Sequence, residues 1–232
     1  MANENQLALI VGAGAGLSAS IARAFAGAGM RIALAARGIA DLGALAAEVG
    51  ARTYACDAAE PEAVKRLFAD LDRDAGGPGV VVYNASYRTR GPFVELEPAE
   101  VEKSILVSAF GGFLVGQEAA RRMLPRGSGT ILFTGASASV KGYAQSAPFA
   151  MGKFALRGLA QSMARELGPQ GIHVAHVVVD GGIRGARRPE AADRPDALLD
   201  PDAMAASYLH LVQQHRSAWT FELELRPWVE KF

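Results

Sequence analysis

Apolar positions along the chain alternate between short continuous runs and helical spacing. Leu7 to Val11 is an apolar run, followed at once by glycines at 12, 14 and 16 and then by Ile21, Phe25 and small residues on one helical face. This predicts strand, tight turn, helix. Arg31 to Ala36 predicts a second buried strand, residues 39 to 49 a helix, and Thr53 to Cys56 a short third strand. Pro61 to Asp74 spaces Val64, Leu67, Phe68 and Leu71 as a surface helix does, with Pro61 in its first turn. Gly76 to Gly79 end it, and Val80 to Tyr83 predict a fourth strand running into Asn84, Ala85 and Ser86.

Pro98 to Met123 predicts one long helix carrying Val101, Ile105, Phe113 and Ala119, with a middle (SAFGGFLVG) that is small and apolar nearly all round. A helix apolar on every side is buried on every side, which in a chain of this size points to a partner subunit. Thr130 to Thr134 predict a fifth strand, Pro148 to Leu167 a helix starting near Ser146 and stopping at Gly168-Pro169, and Ile172 to Val179 a sixth strand. His173 and His176 lie three apart on that strand, hence on opposite faces, which argues against a shared metal site; no metal is expected. Residues 181 to 200, rich in Gly, Pro, Arg and Asp, follow the strand's C-terminal end, and two readings stand: a mobile lid over a ligand, or a plain surface loop. A helix from Pro201 to Gln214 and a strand from Trp219 to Leu225 close the chain. The alternation predicts an α/β fold, a doubly wound parallel sheet.

With 232 residues, half of them apolar, the chain can bury a substantial core as a single domain over 1–232. Acidic and basic residues balance at 24 each, so no net field favours nucleic acid or an anionic membrane, and small molecules are the expected partners. Cys56 is the only cysteine, which excludes an internal disulfide and fits a reducing compartment. The N-terminus, MANENQ, is polar and leads straight into the first strand without a signal-peptide pattern, and no apolar run is long enough to span a bilayer; the expected location is cytoplasmic.

Candidate chemistry gathers at the first turn. Gly14, Gly16 and Ala19 fit G-x-G-x-x-G/A after the first strand, where glycine lets backbone N–H groups approach a pyrophosphate and the helix N-terminus adds partial positive charge. The competing reading is a glycine-rich turn used only for close packing. Arg37 follows the second strand where an NAD site places an acid for the ribose 2′-hydroxyl, so NADP(H) is favoured over NAD(H); a merely solvated arginine is the alternative. Asp57, at the end of the third strand, sits at the expected adenine position, or serves as a turn residue.

The chain resembles the short-chain dehydrogenase/reductase family through VGAGAGLS at 11–18, CDA at 56–58, YNAS at 83–86, Lys153, and ARELGPQGIHV at 164–174. The resemblance implies a Rossmann-type NAD(P)(H)-dependent oxidoreductase, a dimer or tetramer built on helices 98–123 and 148–167. It implies cofactor contacts from Gly12, Gly14, Gly16, Leu17, Ser18, Asp57, Asn84, Ala85, Lys153 and Ile183, the last through its backbone. The family's TGxxxGxG maps onto Val11, Gly12, Gly16 and Ser18, and its NNAG onto Tyr83, Asn84, Ala85 and Ser86. Asp180-Gly181 stands for the usual Pro-Gly, and TFELELRPW departs most from the pattern.

The catalytic set departs further. Against the family's Ser, Tyr, Lys and helix Asn, this chain has Ala136, Phe149, Lys153 and Ser108, with Ser137 and Ser139 close by. In the family the tyrosine exchanges a proton with the substrate oxygen, and a lysine four residues on shares its helical face, lowers its pKa and holds the nicotinamide ribose. Phe149 has no proton to give. Tyr143 or Tyr87 swinging into the pocket, a relay through Ser137, water and Lys153, or a substrate needing no strong acid are the open routes, and loop packing is the alternative for both tyrosines. A non-catalytic NADP(H)-binding sensor or partner subunit is the competing function. Tyr87, Arg88, Arg90, Phe93, Arg184 and Arg187, in loops 86–95 and 181–200, suggest either an anionic substrate group or solvated loop arginines.

Overall fold

A computed structural model describes residues 5–186 and 188–230; residues 1–4 of the polar N-terminus and Arg187 lie outside the described residues. Seven strands form one sheet in the order β3-β2-β1-β4-β5-β6-β7. They are β1 (Leu7–Val11), β2 (Arg31–Ala36), β3 (Arg52–Ala55), β4 (Val80–Tyr83), β5 (Gly129–Thr134), β6 (Ile172–Val179) and β7 (Glu222–Leu225), and every neighbouring pair is parallel. Helices cover both faces, as a parallel sheet requires. Along β1, Leu7, Leu9 and Val11 face a layer containing Phe68 of α3 (Pro61–Asp74), Met123 of α5 (Gly111–Met123) and Leu156 of α6 (Ala147–Leu167). Ala8 and Ile10 face the other layer, with Phe25 of α1 (Leu17–Gly27), Leu45 of α2 (Gly43–Val49) and Tyr208 of α7 (Pro201–Gln213).

Several element boundaries shift by one residue, the third strand from the expected Thr53–Cys56 to Arg52–Ala55 among them, and three elements differ more. The helix expected from residue 39 opens as a 3₁₀ turn, Ala40–Leu42, and becomes α-helical only at Gly43. The last strand begins at Glu222; Arg216–Ala218 is a 3₁₀ turn, and Trp219 stacks on His173 with ring centroids 4.9 Å apart. An aromatic that reads as a strand position is thus spent on covering β6.

The third difference lies in the long helix. It runs as α4 (Pro98–Ile105), a π-helical turn (Leu106–Phe110) and α5, and the Gly111 N–H donates to Leu106 O across five residues. Its small residues serve the chain's own packing. A Cβ on Gly111 would lie 2.7 Å from Ala58 O, one on Gly112 2.5 Å from Leu156 Cδ1, and one on Gly152 of α6 2.8 Å from Ser108 Cβ. The opposite side leaves Leu106, Phe110 and Phe113 partly exposed, together with Met151 and Phe154 of α6. The helix is therefore not buried on every side within one chain.

His173 and His176 have separate surroundings: His173 Nε2 lies 2.8 Å from Thr220 O, and His176 Nδ1 lies 3.0 Å from Glu222 Oε2. Arg157 grips that carboxylate at 2.6 and 2.7 Å. Burial outweighs the attraction of Glu222 and pushes the His176 imidazole down to about 4, so near neutral pH it is uncharged and donates to the carboxylate. In the unfolded chain histidine titrates near its ordinary 6.5. Between these two values the unfolded state binds the extra proton, so stability falls as pH drops through that window, by at most about 3 kcal/mol. Thermal unfolding measured from pH 7 to pH 4 is expected to show that decline, and His176→Asn to flatten it; an equally steep decline in the variant would assign the effect to other groups.

Candidate active site

In an open parallel sheet the ligand crevice lies past the C-terminal strand ends, where the strand order reverses. Here that point is between β1 and β4. Two cavities, of about 830 and 550 Å³, lie along these ends, and both are lined by Asn84 and Ser86. The turn after β1 touches both, with Gly12 and Ala13 lining the first cavity and Leu17 the second.

The glycines of this turn have different causes. Gly12 has φ +84°, and a Cβ there would lie 2.6 Å from Ala85 Cα and 2.8 Å from Asn84 C, so internal packing alone demands it. Gly14 and Gly16 have neither constraint: no positive φ, and nothing within 4 Å of a built Cβ. Open space over a helix N-terminus is the cradle that a pyrophosphate fits.

Ser18 is nearly fully buried; its Oγ donates to Gly12 O at 2.9 Å and accepts from Asn84 Nδ2 at 2.7 Å. Its one proton is committed to the chain, so the hydroxyl ties the glycine turn to the β4 end rather than facing a phosphate. Arg37 is exposed and lines the first cavity with Asp41 and Asp57. Asp57 Oδ1 accepts from Ala59 N at 3.0 Å, a turn contact, and Asp57 lines the cavity beside Cys56 and Ala58. Ala85 lines this cavity and Ile183 the second.

Lys153 organises the second cavity. It sits on α6, almost wholly buried, and Nζ donates to Thr134 O at 2.7 Å, while Thr134 Oγ1 lies 2.8 Å from the Tyr208 hydroxyl. Burial lowers its pKa to about 8. One turn earlier, the Phe149 ring centroid lies 5.8 Å from Nζ, and the Arg88 guanidinium carbon lies 4.9 Å from the same centroid. Ser137 and the half-exposed Tyr143 line this cavity; Ser139 instead turns inward to accept from Ala136 N at 3.1 Å. Tyr87 is directed elsewhere: its hydroxyl bonds Glu100 and Lys103 Nζ lies 4.3 Å from its ring centroid. Ser108 is fully buried, with Oγ 3.4 Å from Tyr87 N.

The family model for short chain dehydrogenases matches residues 6–191, the span that carries the glycine turn, Asp57, Asn84 and Lys153. The chain belongs to the short-chain dehydrogenase family. A short-chain dehydrogenase from Rhodopseudomonas palustris is 36% identical, with TM-score 0.84, and the match covers 97% of this chain and 100% of that one. A metagenomic short-chain oxidoreductase in complex with NADP is 26% identical, with TM-score 0.86, over 98% of this chain and 99% of the other. D-threitol dehydrogenase of Mycolicibacterium smegmatis is 29% identical over 74% of this chain and 68% of its own length. The Rossmann-type fold and an oxidoreductase role of this short-chain dehydrogenase follow from these likenesses. No helix among the described residues is long and apolar enough to cross a membrane.

Among the residues of the second cavity that sequence reasoning missed, Arg188 carries the most chemistry. It lines the cavity, while Arg184, the more conspicuous loop arginine, is held by Asp200 at 2.8 Å and Glu190 at 3.2 Å. Both occur in the same Arg-rich loop, and only its fold sorts them.

Proposed function

We propose that this short-chain dehydrogenase is an NADP(H)-dependent oxidoreductase that transfers hydride to or from a small carbonyl, alcohol or conjugated substrate, with a non-standard proton donor in place of a tyrosine at position 149. The observation that carries the reading is the glycine turn, where Gly14 and Gly16 leave open space at the helix N-terminus and Gly12, Ala13 and Leu17 border two cavities that share Asn84 and Ser86, one of them containing Lys153. When bound, the nicotinamide supplies or accepts the hydride. The chain's residues do the rest. Gly12, Gly14, Gly16 and Leu17 admit the pyrophosphate, Asp57 and Ala85 face the adenosine end, Arg37 pairs with the 2′-phosphate, and the Ile183 backbone lies at the nicotinamide end. Ser18 acts by holding Asn84 and Gly12 together.

Lys153 spends one N–H on Thr134 O and keeps two for the ribose and the substrate oxygen. Below about pH 8 it is an ammonium, so it stabilises negative charge developing on that oxygen, and the proton comes from Tyr143 or from Lys153 through water and Ser137. The partly exposed apolar residues Leu106, Phe110, Phe113, Met151 and Phe154 form the surface for a second copy, giving a cytoplasmic dimer or tetramer through the two long helices. Residues 181–200, which are tied back by an Ile183–Leu199 bridge, cover the substrate.

Parallel fluorescence titrations with NADPH and NADH test this reading. Tight NADPH and weak NADH binding are expected, and Arg37→Ala is expected to remove most of the difference, about 10–100-fold for one charge-assisted contact. Binding of neither cofactor would overturn the reading. Phe149 and Ala136 favour a second function, a non-catalytic NADP(H)-binding sensor or partner subunit, which binds NADPH equally well and turns nothing over.

A further inference from the structure

The second cavity carries more positive charge than a site for a neutral ketone needs. Arg88, Arg90, Arg188 and Lys153 line it, against two carboxylates, Asp180 and Glu230. Asp180 is already engaged by Arg226 at 3.2 Å and Lys141 at 3.6 Å. Among the described residues no carboxylate pairs with Arg88, Arg90 or Arg188. Three guanidiniums from two separate loops thus converge on one cavity with their charge unspent. Burial, and then the charges of Arg90 and Arg188, hold the Arg88 guanidinium below its ordinary value, so Arg88 feels both of the others. A shared counter-ion would relieve that repulsion.

Other features select this cluster from the Arg-rich loops. Arg184 is paired, Tyr87 is turned to Glu100, and Phe93 lines a separate apolar groove with Leu96 and Met151. The Arg88 guanidinium carbon lies 4.9 Å from the Phe149 ring centroid, a cation–π contact that holds the side chain at the cavity wall. A guanidinium's planar fork suits the two oxygens of an oxyacid. The Arg37 site lies in the other cavity, beyond Asn84, so the cofactor's 2′-phosphate is not what this cluster awaits.

We infer that the substrate is a small organic anion whose carboxylate or phosphate is held by Arg88, Arg90 and Arg188, with its reducible carbon presented toward Lys153. Phe149 then serves as the platform that orients the anion-binding arginine. This rests on the oxidoreductase reading above and names the substrate class for the same site.

The test is calorimetric binding to the full chain with saturating NADP⁺, using pyruvate and benzoylformate, each against its own amide, and phenyl phosphate against phenol. At least one anion is expected to bind about tenfold or more tightly than its neutral partner, and the preference to collapse in Arg88→Gln and Arg90→Gln variants whose unfolding midpoints match the parent. The pair showing the preference identifies the oxyacid. No preference for any anion, or a preference that survives both substitutions and Arg188→Gln, overturns the inference. NADPH binding is measured separately: a protein that binds NADPH but ignores the anions refutes the substrate class alone. If NADPH itself fails to bind, the cofactor reading falls, and the same anion titrations on the cofactor-free protein decide the anion site.

Discussion

Phe149→Tyr is expected to raise the rate of NADPH-dependent carbonyl reduction by about 10²–10⁴-fold, the usual contribution of a positioned general acid. The position is one helical turn before Lys153, and the ring centroid already lies 5.8 Å from Nζ. A phenol there comes under the influence of a buried ammonium, which favours the phenolate and lowers the pKa toward a useful range. Phe149 packs with Ala138 and Ala150 and also lines the cavity of about 550 Å³, which offers space beside the ring for an added oxygen. Stopped assays with a carbonyl panel, followed by loss of NADPH, check the result. A gain from an inactive parent would mean that the scaffold lacks only its acid and would favour the non-catalytic reading of the parent. No gain, with NADPH binding intact, would make Ala136 and Ser108 further breaks in the machinery.

Two glycines of one turn are expected to fail in opposite ways. Gly12→Ala forces a side chain into a φ of +84° and against the Ala85 and Asn84 backbone, none of which can move without displacing the end of β4. The expected loss is about 3 kcal/mol or more of stability, read as a lowered unfolding midpoint. Gly14→Ala meets nothing within 4 Å and should leave the midpoint unchanged within about 0.5 kcal/mol. Its methyl occupies the space where backbone N–H groups approach a pyrophosphate, so NADPH affinity is expected to fall about tenfold or more. Parent-like NADPH binding by Gly14→Ala would remove the cradle as an argument for the cofactor.

Much of this was legible in the chain because local patterns determine it. The apolar runs at Leu7–Val11 and Ile172–Val179 are strands buried on both faces, and such runs look the same wherever they sit in the sheet. The glycine turn, Arg37 and Asp57 fall at strand ends, and strand ends are readable from the runs. What escaped depends on distant partners. Whether Arg184 or Arg188 faces the cavity is decided by Asp200 and Glu190, and whether Ser18 points outward is decided by Gly12 O and Asn84. Tyr87 follows Glu100 on the neighbouring helix. The small residues of the long helix were visible, but their partner was not: they answer to Tyr83, Ala58 and α6 of the same chain.

The π-helical turn at Leu106–Phe110 amounts to one residue more than an α-helix would use to join the same two flanks. Tyr83 donates to Val107 O inside it, so the turn is tied to the end of β4, beside Asn84 and both cavities. Losing one residue from 106–110 would let the helix close into a regular ladder with α4 and α5 keeping their faces, and the bond to Tyr83 would go with it. Relatives aligned without a gap through this stretch therefore share its anomaly, whereas a one-residue gap marks a regular helix and a differently anchored floor beneath the cofactor cleft.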